Sequence, residues 1–144
     1  MRKSWLRLLG ALLILANLGL PGCGSGKDQL ASVRGVVSYR GLPLHSGVIV
    51  FTPDVSRGTR GALAHADIQA DGSYVLKTGE ASGAVPGWHR ITVLAVQGNS
   101  APPTGMRFSI PQSVLPERYR DPDMSGLTRE VKSTQPNVID FELD

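Results

Sequence analysis

From Ser32 onward, apolar and polar residues alternate with a period of two, and each run stops at a turn signal. Successive side chains on a strand point to opposite faces, so this pattern builds half-buried strands and cannot lay one apolar stripe along a helix. Val33, Val37 and Tyr39 share a face opposite Arg34 and Arg40, and Gly41-Leu42-Pro43 turns the chain. Val48-Ile49-Val50-Phe51 is apolar on both faces, as a central strand is, and Pro53 ends it. Ala62, Ala64, Ala66 and Ile68 alternate with Leu63, His65, Asp67 and Gln69, and Asp71-Gly72 is a strong hairpin signal. Ser73–Lys77 returns with Tyr74 and Leu76 inward. Gly87 opens a long strand that turns His89, Ile91, Val93 and Ala95 to one face and Trp88 to the other. Leu127–Lys132 and Val138–Leu143 read as a last pair of strands, and a short helical turn is expected near Gln112–Tyr119. Seven short strands, with turns every 8–15 residues or about that, predict one all-β sandwich over residues 32–144. The 17 glycines and 10 prolines among 144 residues supply the many turns such a fold needs and argue against a helical bundle.

The net charge of +3 has a local origin. Arg2, Lys3 and Arg7 precede residue 22 with no acid among them, and the remaining 12 basic residues are matched by 12 acidic ones. A neutral domain lacks the basic face that nucleic acid requires, so no nucleic-acid partner is expected. Met1–Arg7 is a positive n-region, and Leu8–Leu20 is apolar apart from Gly10, Asn17 and Gly19. Those 13 residues span about 20 Å as a helix, short of a hydrocarbon core of about 30 Å, which fits a secretory signal better than a membrane span. The segment ends in Leu20-Pro21-Gly22-Cys23. This resembles the bacterial lipobox, with Leu three residues before the Cys and a small residue just before it; Pro21 stands where Ala or Ser is commoner. The resemblance implies a diacylglyceryl group on the Cys23 thiol, cleavage before Cys23 and fatty acylation, palmitate included, of the new amino terminus. Residues 1–22 are then a lipoprotein signal peptide, 23–31 the lipidated Cys and a flexible tether, and 32–144 the domain. The tether segment Gly24–Gln29 reaches about 20 Å when extended. With Gly24 and not Asp after the Cys, the resemblance further implies the outer membrane sooner than the inner one, facing the periplasm or the surface. The single Cys leaves no disulfide within the chain and no cysteine zinc site.

A second resemblance covers nearly all of residues 32–144. Its residues are Val33-Arg34-Gly35-Val36-Val37, Gly41-Leu42-Pro43-Leu44, Gly47-Val48-Ile49-Val50-Phe51-Thr52-Pro53 and Ala70-Asp71-Gly72-Ser73-Tyr74. They continue with Gly83-Ala84-Val85-Pro86-Gly87, Ile91-Thr92-Val93, Leu115-Pro116-Glu117-Arg118-Tyr119, Ser125-Gly126-Leu127-Thr128 and Val138-Ile139-Asp140-Phe141-Glu142-Leu143. In this order they resemble the carboxypeptidase-regulatory-like domain of the transthyretin-like (prealbumin-like) class, as small bacterial lipoproteins carry it. The resemblance implies a Greek-key, Ig-like sandwich and fixes no activity, since function lives in sites grafted on folds. His89 stands where that family usually places an aromatic residue, and is expected to be a buried, neutral, hydrogen-bonded imidazole.

Candidate chemistry is sparse. His65 and Asp67 point the same way from one strand and form half a metal site; His45 and His89 are not spaced to complete it. Glu117, Asp121 and Asp123 crowd together as calcium ligands do, but no Gly-centred loop with a closing Glu follows, and Arg118 and Arg120 compete for them. No Gly-x-Ser-x-Gly occurs. Transthyretin-like hydrolases close on Tyr-Arg-Gly-Ser, whereas this chain closes on Phe141-Glu142-Leu143-Asp144, and Ser38-Tyr39-Arg40-Gly41 reads as a turn. Arg57 and Arg60, in the Asp54–Gly61 loop beside Gly58 and Gly61, are read as meeting phosphates or as simply solvated. Gln97–Ser113 is a connection of 17 residues, longer than a sandwich needs. Arg107 and Phe108 within it, with Trp88 at its edge, are the expected ligand contacts.

No enzyme, no cofactor and no metal are therefore expected. The expected role is a membrane-anchored binding or structural module whose partner is an envelope protein or polysaccharide. Two alternatives are a carbohydrate-binding module using Trp88 and loop 97–113, and a metal-dependent binder or enzyme around His65 and Asp67.

Overall fold

The computed structural model describes residues 29–96 and 112–144. The leader, Cys23 and the tether as far as Asp28 lie outside these residues, as do Arg107 and Phe108. The described chain is all-β apart from two short 3₁₀ turns, at Val55–Arg57 and Glu117–Arg120. The second of these lies at the end of the stretch predicted to be helical.

Two sheets face each other across one apolar core. The smaller is built around β1 (Val33–Tyr39), which pairs with β2 (Leu42–Pro43) and β5 (Ser73–Val75) on antiparallel ladders. It pairs in parallel with β10 (Asn137–Val138) and β11 (Phe141–Leu143). The larger runs β7-β6-β4-β3-β8-β9. Its members are β3 (Gly47–Pro53), β4 (Ala64–Ile68), β6 (Lys77–Thr78), β7 (Ala81–Ser82), β8 (Gly87–Leu94) and β9 (Thr128–Val131). As its composition predicts, β3 is central, between β4 and β8. Arg40 and Gly41 both take positive φ, 51° and 79°, the geometry of a tight hairpin turn whose twist suits the flanking strands.

The alternation is borne out residue by residue. Val33 and Val37 on β1, Ile49 and Phe51 on β3, Ala64, Ala66 and Ile68 on β4, and Ile91 and Val93 on β8 are all buried. Ala62 is the exception: it is exposed and precedes β4. Phe51 sits at the centre, its ring 6.3 Å from Tyr74, 5.8 Å from His89 and 6.0 Å from Phe141. Removing such a buried ring costs about 3–5 kcal/mol.

Two expectations are corrected. Among the described residues there are eleven strand segments, not seven. One cause is Leu76. Its N–H donates to the carbonyl of Val33 on β1 and its carbonyl accepts from Gly83, so the strand predicted over Ser73–Lys77 crosses there from one sheet to the other. A second cause is the Ile139-Asp140 step. The Asp140 carboxylate takes the Val36 N–H at 2.8 Å and the Tyr74 hydroxyl donates to the Ile139 carbonyl at 2.5 Å, which separates β10 from β11. Gly35 is opposite this break, where a Cβ would collide with the Ile139 carbonyl. The second correction concerns the last two strand regions. They do not pair with each other: β9 joins β8, whereas β10 and β11 join β1. Asn137 makes the parting, its amide bridging the carbonyls of Ser32, Lys132 and Gln135 while its oxygen takes the Lys132 N–H.

Candidate functional site

The ladders give the sandwich two distinct ends. Ala31 is bridged to Ala84, just before β8 begins, and Pro53 of β3 pairs with His89 at the same end. This proximal end gathers the Asp54–Leu63 connection, the start of β8 and the turn from Val131 to Asn137. The distal end gathers the turns at Arg40–Ser46 and Gln69–Gly72 and the Val96–Ser113 bridge from which the long connection departs. They are separated by about 20 Å of strand at roughly 3.3 Å per residue.

At the proximal end a carboxylate is buried. Asp54, 4% exposed, caps the first 3₁₀ turn by accepting from the Ser56 N–H at 3.1 Å and the Ser56 hydroxyl at 2.6 Å. Its other oxygen lies 3.5 Å from Arg57 Nε and 3.4 Å from Arg90 Nε. The Ser56 hydroxyl, more than any other group, holds the Asp54 carboxyl below its ordinary value; burial opposes this and Arg90 adds to it. Arg90 also pairs with Asp123 and donates to the Ser56 hydroxyl at 3.3 Å. The Arg57 guanidinium covers the Trp88 ring, 4.5 Å from its centroid. Thr59, buried, accepts the Trp88 N–H at 2.7 Å, and the Trp88 carbonyl accepts from Asp54 N–H at 2.8 Å. Of this network the sequence singled out Arg57, Trp88 and Asp123, each separately. The legible signal for the rest was Asp54 with Ser two residues on, the pattern of a capped turn; nothing local announces that Arg90 closes it from across the sheet.

At the distal end a groove of about 340 Å³ is lined by Tyr39, Leu42, Pro43, Leu44, His45, Ser46, Val96 and Val114. His45 Nδ1 meets the Ala70 carbonyl at 2.7 Å and ties two of the turns together. Trp88 is therefore at the opposite end of β8 from the bridge where the Gln97–Ser113 connection is rooted. One face of its ring is already taken by Arg57.

His65 and Asp67 do share the outer face of β4, both exposed. With Gln69, Lys77 and Glu80 they border a cleft of about 450 Å³. It exists because the hairpin opens. Gln69 N–H bonds to the Ser73 carbonyl and His65 pairs with Lys77, but β5 has left for β1 in between. Among the described residues no three His, Cys, Asp or Glu side chains come together as a metal set. Of the candidate calcium ligands, Asp121 accepts from the N–H groups of Asp123 and Met124, and Asp123 pairs with Arg90. Arg118 turns to Asp144, whose carboxylate Tyr119 also donates to.

His89 is fully buried, as predicted, with Nδ1 3.0 Å from the Gly87 carbonyl. Nε2 meets no partner. Burial pushes the imidazole below its ordinary pKa, the Gly87 carbonyl opposing in part, so the ring is neutral and faces Phe51. Among the described residues no hydroxyl is hydrogen-bonded to an imidazole. No protein-family profile, curated protein or solved structure matches this chain.

Proposed function

We infer that this chain is a non-catalytic, lipid-anchored β-sandwich module of the bacterial cell envelope, of the carboxypeptidase-regulatory-like, transthyretin-like class with its Greek-key order. It is held at the membrane, the outer one sooner than the inner, through Cys23, and it engages an envelope protein or polymer or acts structurally there. The observation that carries this is the placing of Ala31. The described chain enters at the proximal end, so an anchor at Cys23 leaves the distal groove directed away from the membrane. The two-sheet, all-β architecture supports the fold class. The test is intact mass spectrometry of the protein extracted from membranes. Cys23 is expected as the first residue, carrying fatty acyl chains, and Cys23→Ser should release the protein or leave it uncut. A free Cys23 thiol on a chain that retains residues 1–22 would refute the anchor.

A further inference from the structure

We propose that the proximal end is a membrane-contacting surface that seats on anionic lipid headgroups, and this rests on the anchor at Cys23 inferred above. Four observations meet there. Val55 and Leu63 flank the connection between β3 and β4 and are exposed to 57% and 50%, although both are apolar. Arg57 and Arg60 lie between them; Arg57 pairs with the buried Asp54, the one carboxylate of that stretch, so two arginines face one acid there. Trp88 stands beside them, partly exposed, with Arg57 across its ring. The described chain enters the sandwich at this end, where Ala31 is bridged to Ala84.

The chemistry suits one occupant. An indole with an apolar body and a polar edge settles at the headgroup level, and arginine beside it supplies the charge that an anionic surface attracts. Two exposed aliphatic side chains at the rim can enter the acyl boundary without a helix to carry them. Glu130 lies opposite Trp88 on β9 and Lys132 follows it at the same end, so the arginines are not cancelled by the neighbouring strand. Seating at this face fixes the domain's orientation and holds the distal end outward.

The experiment uses the full chain, extracted from membranes and reconstituted into vesicles of phosphatidylethanolamine and phosphatidylglycerol. Some lipids carry a nitroxide on the headgroup. Cleavage before Cys23 removes Trp5, so Trp88 is the only tryptophan of the anchored chain. The expected result is strong quenching of Trp88, at least halved when phosphatidylglycerol is omitted. Raising salt to about 0.5 M, which shortens the screening length to a few ångströms, should halve it likewise. Arg57→Ala with Arg60→Ala should match the high-salt result; the salt arm needs no variant and stands even if that pair disturbs the fold. The distal control is Trp88→Phe with Leu42→Trp, which should stay unquenched. Equal quenching at both ends, or none at Trp88 in protein that remains with the vesicles, overturns the proposal while sparing the anchor. Protein that does not stay with vesicles at all overturns both.

Discussion

The two ends of the sandwich close in opposite ways. The distal end is closed by backbone turns and apolar contact: Leu44 N–H to the Val37 carbonyl, His45 to Ala70, and a groove walled by Tyr39, Leu42 and Val96. The proximal end is closed by charge, with one buried carboxylate serving Ser56, Arg57 and Arg90 at once. A buried charge is tolerated only when fully partnered, so the proximal arrangement is specific and brittle where the distal one is permissive. This predicts different responses to substitution and to loop length.

The sharpest contrast is between two glycines. A Cβ on Gly87, at φ 123°, would collide with the Thr59 side chain, which is pinned by the Trp88 N–H. A Cβ on Gly41, at φ 79°, meets nothing. Gly87→Ala should destabilise by more than about 3 kcal/mol, as clashes in packed sites do, and Gly41→Ala by about 1 kcal/mol from backbone strain alone. Denaturant midpoints of the two variants decide it, and similar losses would erase the distinction.

Asp54 should carry part of the acid dependence at the proximal end, as Asp71, held low by the Ser73 hydroxyl, does at the distal end. Asp54 has a lowered pKa in the fold, so its contribution is present above the ordinary carboxylate value and is lost as pH falls through that value toward the folded one. Asp54→Asn should lower the melting temperature at neutral pH and flatten the loss seen on going below pH 4 or about that. A variant that melts like the parent across that range would mean the network contributes nothing.

His89 adds a second, milder dependence. Its lowered pKa means the unfolded chain takes up a proton first, so stability falls as pH drops below about 6.5, at most by about 1.4 kcal/mol per pH unit. His89→Phe should remove that slope and also the unpartnered Nε2, at the loss of one bond to Gly87. An unchanged slope below neutrality in the variant would place the proton elsewhere.

What was legible in the sequence follows from range. Alternation is a local property, and it identified β1, β3, β4 and β8 together with their buried faces, and His89 as inward. The Asp71-Gly72 hairpin was local too, and Ser73 seals it by donating to the Asp71 carboxylate. What failed was long-range. Leu76 is apolar in either sheet, so nothing near it says that its N–H will reach Val33. The last two strand regions are close in sequence, yet β10 and β11 meet a strand about a hundred residues earlier, through contacts such as Asp140 to Val36. The proximal network was half legible for the same reason: Asp54 and Ser56 announce a cap, while Arg90 and Asp123 arrive from other strands and loops.

The gentlest perturbation tests the distal end. Replacing Gly98–Ser109 with a short Gly-Ser linker changes only the length of a connection whose roots are held independently, by the Val96–Ser113 bridge and by Val114 N–H to the Ala95 carbonyl. Halving a loop changes closure free energy by about 0.6 kcal/mol, so the melting temperature should move by a few degrees or less. The proximal end lies at the other end of β8, so Trp88 quenching by headgroup nitroxides should be unchanged. If the distal end holds a partner through that connection, a photo-crosslinker at exposed Leu42 should capture an envelope component in the parent and lose most of that yield in the shortened chain. Undiminished capture with the fold intact would leave the groove as the contact and the long connection as a spacer. A large drop in stability would mean that the distal end is as brittle as the proximal one, and the comparison between them would fail.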